Sequence, residues 1–380
     1  MPGANDDDPT VGAPGPLAAT VFASEAAGET SPARSPEAAL QAGDAIGRYH
    51  LRRLLGAGAM GVVWEANDPT LGRAVAIKVV HPGLASVPDA AARMLREARA
   101  MAQVRDPGVV VIHDAGEVDG LLFLAMELVR GTTLGATLRE RAPIALADWR
   151  HSLALMRAAG RGLAAAHAAG VLHRDFKPDN VLVETGGRVC VGDFGLASLG
   201  APPRARPTTA RLAVANADVD LTTTGALLGT PAYMSPEQLR GEVVDARADQ
   251  FSFAVATYEA LYGERPFLLG DAHRGNLGAI VDAITAQRIH PPPVSTSVPA
   301  ALRAVVLRGL AASPSERWPT LTSMLDALDG AAQPPRRRRR MVLGMIGLVA
   351  ALAAGIVALA WPGAKQNSPP RGPHTPPTPR

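Results

Sequence analysis

The sequence lacks a second cysteine, an excess of charge of either sign and an apolar N-terminal segment. With Cys190 as the one cysteine among 380 residues, no intramolecular disulfide can form, which suits a reducing cytosol. The net charge is only +3, and five positive charges lie in the run Arg336 to Arg340, so the rest of the chain is near neutral and a nucleic-acid-binding body is excluded. The acidic start, MPGANDDDPT, is not a secretory signal peptide.

Composition and pattern divide the chain into six parts. Residues 1–46 are rich in Ala, Pro, Gly, Ser and Glu without a sustained period, which predicts a disordered N-terminal arm. A strand-rich segment (47–129) and a helix-rich segment (130–330) follow, and together they predict a two-lobed α+β domain in which Cys190 lies in a buried strand. A basic linker (331–340), an apolar run (341–361) and a proline-rich tail (362–380) complete the chain.

The apolar run 341–361 is uncharged and has the length of a membrane span. At about 1.5 Å per residue it would extend roughly 31 Å, close to the ~30 Å hydrocarbon core of a bilayer. The arginine run before it and Trp361 at its far end favour a transmembrane helix over a buried alanine-rich helix. The positive-inside rule then places the large domain in the cytoplasm.

A glycine-rich turn and an isolated lysine indicate a phosphate site in the strand-rich part. GAGAMGVV, residues 56–63, matches G-x-G-x-x-G-x-V, a pattern that lets backbone N–H groups approach phosphate oxygens. The turn joins two predicted strands, which argues against a dinucleotide-binding fold, where it would join a strand to a helix. Lys78 is the one charge in the apolar strand VAIKVV and would need an anion, although a solvent-facing lysine is the alternative.

A third motif, VLHRDFKPDN at residues 171–180, completes a specific set. With GAGAMGVV and VAIKVV, in this order and at these spacings, the chain resembles the eukaryotic-type (Hanks-type) protein kinases, specifically the membrane-anchored serine/threonine kinases of bacteria. The resemblance covers about residues 48–328 and implies a two-lobed kinase fold with a β-rich N-lobe (47–129) and a helical C-lobe (130–330). It implies that ATP and Mg²⁺ are the cofactors and that proteins are the substrates.

The resemblance implies an ATP site built from both lobes. Glu97 matches the helix glutamate that pairs with Lys78, and Met126 matches the residue at the back of the pocket. Nucleotide contacts are expected from a phosphate-covering loop, an adenine roof, the phosphate-gripping lysine with its glutamate, two hinge positions and a pocket floor: Leu55, Gly56, Ala57, Gly58, Ala59, Met60, Gly61, Val62, Val63, Ala76, Lys78, Glu97, Glu127, Val129 and Leu182.

The resemblance also assigns the chemistry of phosphoryl transfer. Asp175 would accept the proton of the substrate hydroxyl, and Lys177 would stabilise the charge of the γ-phosphate. Asn180 and Asp193, the latter in a DFG motif, would hold magnesium. His173 is expected to pack against Phe194.

Four further residues have structural roles in the family. Asp249 matches the residue that braces the catalytic loop, residues 171–180, and Glu237 is expected to pair with Arg317. Arg174, directly before Asp175, marks kinases that are regulated by phosphorylation of the activation loop.

The candidate phosphorylation sites lie in LTTTGALLGT. Thr222 and Thr224 fit the bacterial subgroup best, followed by Thr223, with a plain polar loop as the alternative. A long insert between Asp193 and Glu237 departs from the family.

Two other function classes compete with the kinase interpretation. A pseudokinase scaffold finds no support, because Lys78, Asp175, Asn180 and Asp193 are all present. A kinase of small molecules is disfavoured by GTPAYMSPEQ (229–238), which resembles the segment that shapes a protein-substrate groove. In the apolar run, Gly347, Ala351 and Gly355 recur every four residues, a pattern compatible with helix pairing and therefore with a homodimer.

Overall fold

The computed structural model describes residues 40–58, 60–81, 89–140, 148–194, 231–267, 277–294 and 296–333. The expected disordered arm up to residue 39, the phosphorylation sites, the apolar run 341–361 and the tail lie outside the described residues. Within the described part, no helix is long and apolar enough to cross a membrane.

A six-stranded antiparallel sheet forms the first lobe. Its strands are β1 (Ala45–Ile46), β2 (Tyr49–Gly58), β3 (Gly61–Asp68), β4 (Arg73–Val80), β5 (Ile112–Val118) and β6 (Leu121–Glu127), in the spatial order β1-β2-β3-β4-β6-β5. Helix α1 (Ala90–Met101) follows β4 in the chain. Ile46 is 1% exposed and pairs with Tyr49, so ordered structure begins before the boundary that the sequence indicates at residue 46.

The hairpin between β3 and β4 follows from its turn residues. The Asp68 side chain accepts hydrogen bonds from the backbone N–H groups of Thr70 and Leu71, and Gly72 adopts a φ of 62°. The hairpin brings β4, with Lys78, into register with β3, where Val63 stands opposite that lysine.

Helices dominate the second lobe, apart from one small sheet. The sheet comprises β7 (Gly131–Thr133), β8 (Val181–Glu184) and β9 (Val189–Val191), with β8 in the middle. Cys190 is fully buried in β9, which confirms its prediction as a strand residue. The helices are α2 (Leu134–Glu140), α3 (Trp149–Ala168), α4 (Pro236–Leu239), α5 (Ala246–Tyr262), α6 (Leu277–Thr285), α7 (Ala300–Gly309) and α8 (Leu321–Ala332).

The core of the second lobe forms around α3 and α5. Asp148 caps the start of α3 by accepting from the His151 backbone N–H, and Asp245 caps α5 by accepting from the Arg247 N–H. Apolar residues of both helices, with Phe176 from the catalytic loop, belong to one large buried cluster. The catalytic loop is therefore anchored in the buried core of the lobe.

Candidate active site

Side chains from both lobes form a buried apolar cluster where the adenine pocket is expected. The first lobe contributes from β2, β3, β4 and β6, and the second lobe contributes from β8. The expected pocket residues in this cluster are Leu55, Val63, Ala76, Met126, Val129 and Leu182. A flat apolar ring would fit such a lining, because ligand sites combine apolar walls with a few polar groups.

The glycine-rich turn joins β2 to β3 beside this cluster. Gly56 stands opposite Val63, and Gly58 stands opposite Gly61, so the motif forms the end of the hairpin. Gly61 has a φ of 135°, and a Cβ added there would lie 1.9 Å from the Val79 carbonyl oxygen. Only glycine fits this position, which brings the tip of the hairpin close to β4. Ala59 lies outside the described residues.

Lys78 and Asp193 bring the two lobes together. The Lys78 Nζ lies 2.9 Å from Asp193 Oδ1, and the lysine residue is only 4% exposed. Asp193 has a φ of 55°, a left-handed conformation that a non-glycine residue adopts at a cost of about 1–3 kcal/mol. Strain of this kind is concentrated at functional sites, where the surrounding structure holds the residue in place.

Glu97 has a different partner from the expected one. Its Oε1 accepts a hydrogen bond from Arg174 Nη1 at 3.2 Å, whereas Lys78 pairs with Asp193. Among the ion pairs of the described residues there is none between Lys78 and Glu97, so the sequence prediction of this pair is wrong for this conformation. The physical reason is that Arg174, with a φ of 65°, presents its guanidinium to α1 and competes for the same carboxylate.

A small cavity lies between α1 and the sheet, on the side of Glu97. Its volume is about 20 Å³, which is room for about one water molecule. Its walls include Met94 and Met101 of α1, Met126 of β6, and Phe194 beside Asp193. Helix α1 is therefore packed against the sheet with little free volume at this point.

The catalytic loop holds its polar groups close together. Lys177 Nζ lies 3.1 Å from Asp175 Oδ2, and Asn180 Nδ2 donates to the Asp175 backbone oxygen at 2.8 Å. A short 3₁₀ helix, Pro178–Asn180, turns the chain so that Asn180 faces back toward Asp175. The expected base, the phosphate-facing cation and one magnesium ligand are thus neighbours.

His173 is a packing residue of this loop. Its ring centroid lies 4.6 Å from that of Phe194, as the sequence predicts, and its Nε2 lies 2.9 Å from the Gly192 backbone oxygen. Burial lowers the pKa of His173 below its ordinary value, which favours the neutral ring. The contact joins the catalytic loop to the segment that carries Asp193.

The Asp249 carboxylate holds the backbone of the catalytic loop in place. It accepts from the backbone N–H groups of His173 and Arg174, both at 2.7 Å, and lies 2.8 Å from His167 Nε2. Burial acts to raise the pKa of Asp249, but these hydrogen bonds outweigh it and lower the pKa. His167 is a site residue that the motifs of the sequence do not identify, although a lone histidine on the apolar side of a long helix is a signal for a buried polar partner.

Glu237 and Arg317 form a buried ion pair in the second lobe. Arg317 Nη1 donates to Glu237 Oε1 at 2.7 Å, and Nη2 donates to Oε2 at 2.9 Å. The remaining guanidinium N–H groups donate to the backbone oxygens of Ala311, Arg247 and Ala312. This pair ties α4, at the end of the activation segment, to the loop before α8.

The fold and this site define a protein kinase: a β-rich lobe with a glycine-rich hairpin and an ion-paired lysine faces a helical lobe that presents Asp175, Asn180 and Asp193. Comparison with known proteins agrees. Residues 49–327 match the family model described as "Protein kinase domain", and the chain belongs to this family.

Bacterial serine/threonine kinases are among the most similar relatives. The chain is 35% identical over 347 residues to serine/threonine-protein kinase PknE of Mycobacterium bovis, covering 89% of this chain and 57% of PknE. It is 35% identical over 349 residues to PknA of Mycobacterium tuberculosis, covering 87% of this chain and 74% of PknA. The similarity is thus to kinases of the serine/threonine type, and the chain spans little more than half the length of PknE.

A solved kinase domain has the same fold. The crystal structure of the Mycobacterium tuberculosis PknI kinase domain aligns with a TM-score of 0.57 at 28% identity, covering 77% of this chain and 100% of that one. The two-lobed kinase fold expected from the sequence is therefore confirmed.

Proposed function

We propose that this protein transfers the γ-phosphate of ATP to serine and threonine hydroxyls of proteins, in bacterial signal transduction. The observation that carries the proposal is the convergence of Lys78 from one lobe and Asp193 from the other at 2.9 Å, beside the catalytic loop. A buried lysine requires an anionic partner, and bound phosphates would share that role with Asp193.

Asp175 is the group that takes the proton of the attacking hydroxyl. Its backbone is fixed by Asn180, and the neighbouring Lys177 compensates the charge of its carboxylate at 3.1 Å. In the kinase mechanism most of the catalysis comes from positioning and from stabilising negative charge, so the ammonium of Lys177 serves the γ-phosphoryl group as it transfers.

Asn180 and Asp193 fit magnesium. The Asn180 amide nitrogen donates to the backbone oxygen of Asp175, which leaves its carbonyl oxygen for a cation. Asp193 Oδ1 is buried and accepts no well-aligned hydrogen bond, although Lys78 lies beside it. Oxygen ligands of this kind suit Mg²⁺, which supplies charge neutralisation of the ATP phosphates when bound.

The Glu97–Arg174 pair describes an inactive arrangement of this site. Phosphorylation of Thr222 or Thr224 would add about −1.5 to −2 charges and attract Arg174, which would release Glu97 to Lys78. With ATP and Mg²⁺, autophosphorylation should therefore precede full activity and appear as a lag that pre-incubation with ATP removes. Thr222→Ala with Thr224→Ala should remain in the slow phase.

The basic run and the apolar segment support anchoring in the bacterial cell membrane. Residues 341–361 would form a single span that leaves the kinase domain in the cytoplasm. The repeat of Gly347, Ala351 and Gly355 would allow the spans to pair as a homodimer. Crosslinking in membranes should detect this dimer, and Gly355→Leu should abolish it; monomer in both cases would eliminate the homodimer.

Transfer of labelled phosphate tests the proposed activity. The purified full-length chain with Mg²⁺ and labelled ATP should become labelled on Ser or Thr and should label a generic protein substrate. Asp175→Asn should reduce both signals to background, whereas Asp329→Asn, on the remote helix α8, should retain them. A wild-type chain that binds ATP without transferring phosphate would support the pseudokinase alternative, and transfer to small molecules alone would support a small-molecule kinase.

A further inference from the structure

The hinge between the lobes lies outside both β-sheets. Strand β6 ends at Glu127 and β7 begins at Gly131, so residues 128–130 connect the two sheets without belonging to either. Under the proposed function, the backbone groups of Glu127 and Val129 face the adenine. A backbone that must recognise a ring by hydrogen bonds has to be held in position, because a small misplacement weakens every contact.

Arg188, from the other lobe, binds Glu127, the last residue of β6 and the residue directly before the hinge. Its Nη2 forms a short ion pair with Glu127 Oε1, and its Nη1 donates to Glu127 Oε2 at 3.4 Å. Its Nε donates to Glu184 Oε2 at 3.1 Å. Arg188 lies just before β9 and Glu184 ends β8, so one guanidinium connects the end of β6 to the β8–β9 hairpin.

The same hairpin holds the last residue of the hinge. The Thr185 backbone N–H donates to the Arg130 backbone oxygen at 2.9 Å, and the Thr185 hydroxyl donates to the same oxygen at 3.2 Å. Both ends of the hinge are therefore attached to the hairpin that carries Leu182, the expected floor of the adenine pocket. The hairpin sets the distance between the hinge and the pocket floor.

We propose that Arg188 is a positioning residue for adenine recognition, which holds the hinge backbone against the β8–β9 hairpin through the carboxylates of Glu127 and Glu184. The proposal rests on the proposed ATP-binding function. The side chains of Arg188 and Glu127 are 28% and 27% exposed, and neither belongs to the hydrophobic core. Removing Arg188 should accordingly leave the fold intact and act on the hinge.

The expected kinetic effect is specific to this role. Adenine contacts are equal in the ground state and the transition state, so loosening the hinge raises KM for ATP and leaves kcat unchanged. For a partly exposed charge network the increase should be about two- to fivefold for Arg188→Ala, with kcat within about twofold. Arg188→Lys, which can reach one carboxylate as a point charge, should give an intermediate KM.

Direct binding separates the hinge from the phosphate site. For the full-length Arg188→Ala protein, calorimetric titration should show the same loss of affinity for adenosine as for ATP, and unchanged affinity for tripolyphosphate. Glu127→Ala, which keeps the hinge backbone, should reproduce the loss, and the double variant should bind adenosine no more weakly than Arg188→Ala alone. The control is Arg157→Ala on α3, whose ion pair with Asp329 is of similar exposure and remote from the hinge.

Three outcomes for Arg188→Ala would overturn the proposal. The first is an unchanged affinity for adenosine, and the second is a loss of tripolyphosphate affinity equal to the loss of adenosine affinity. The third is a rise in kcat, which would mean that the Arg188–Glu127 pair restrains catalysis. If Arg188→Ala lowered the melting temperature more than Arg157→Ala does, Glu127→Gln would serve as the second test. This variant removes one charge from the pair and should still raise KM for ATP. If the wild-type chain bound no ATP, the proposed function would fail as well; if it bound ATP and only the Arg188 effect were missing, this inference alone would fail.

Discussion

Replacing either partner of the Glu237–Arg317 pair should destabilise the protein far more than replacing an exposed ion pair. The Arg317 side chain is 0% exposed and the Glu237 side chain is 5% exposed. All five N–H groups of the guanidinium have acceptors: two carboxylate oxygens and three backbone oxygens. The guanidinium also lies 4.9 Å from the ring centroid of Phe251. Removing one partner therefore leaves a buried charge without compensation.

The magnitude follows from burial. Breaking a buried pair by removing one partner costs about 3–5 kcal/mol. Glu237→Gln keeps the shape and the three backbone acceptors of Arg317, so it should fall near the lower end, at about 3 kcal/mol. Arg317→Met leaves a buried carboxylate and three carbonyls without donors, so it should fall near the upper end, at about 5 kcal/mol. The double variant should cost less than the sum, because the two side chains are in direct contact.

Thermal unfolding of the full-length variants measures this effect. One kcal/mol corresponds to about 2–4 °C for a domain of this size, so Glu237→Gln should lower the melting temperature by about 6–12 °C. The control is Arg240→Met, which breaks the exposed pair with Glu242 and should shift the melting temperature by no more than about 2 °C. Equal shifts for Glu237→Gln and Arg240→Met would refute the reasoning.

Three further predictions concern packing, reactivity and pH. A Cβ on Gly162 would lie 2.0 Å from the Gly108 backbone oxygen, so Gly162→Ala should lower the free energy of unfolding by about 1–3 kcal/mol in chemical denaturation. The control is Gly330→Ala on α8, where a Cβ meets open space and the change should be neutral or stabilising. Equal free-energy changes in the two variants would contradict the packing argument. Burial raises the pKa of Cys190 to about 11, so a maleimide at about pH 8 should label it only after denaturation, and labelling of the native protein would contradict its burial. The pKa of Asp249 is lowered, so its stabilising contribution is complete above the unfolded-state pKa of about 3.9 and is lost as the pH falls through the folded-state pKa. Asp249→Asn should therefore flatten the acid limb of stability below about pH 4, and an unchanged limb would contradict this.

Local motifs made the principal site residues predictable. Lys78, Asp175 and Asp193 each lie in a short segment whose residue types are chemically unusual for their surroundings, and their order and spacing match one family. The strands, the hairpin turns and the buried position of Cys190 follow from alternation and turn chemistry, which act over a few residues. These features require no knowledge of how distant elements pack.

The pairing of distant side chains was not predictable in the same way. Glu97 can reach Lys78 or Arg174, and the choice depends on where α1 lies, a difference of about a few kcal/mol between two arrangements of one sequence. The pair of Arg188 and Glu127 depends on how the small sheet of the second lobe is placed against the end of β6. Residue identity alone specifies neither placement.

Titration of ATP into the full-length protein, with and without Mg²⁺, tests most directly the claim that Lys78 and Asp193 share one nucleotide site. The wild-type chain should bind ATP more tightly with Mg²⁺, Asp193→Asn should lose that dependence on Mg²⁺, and Lys78→Met should weaken binding in both conditions. Unchanged ATP binding and Mg²⁺ dependence in both variants would contradict the account.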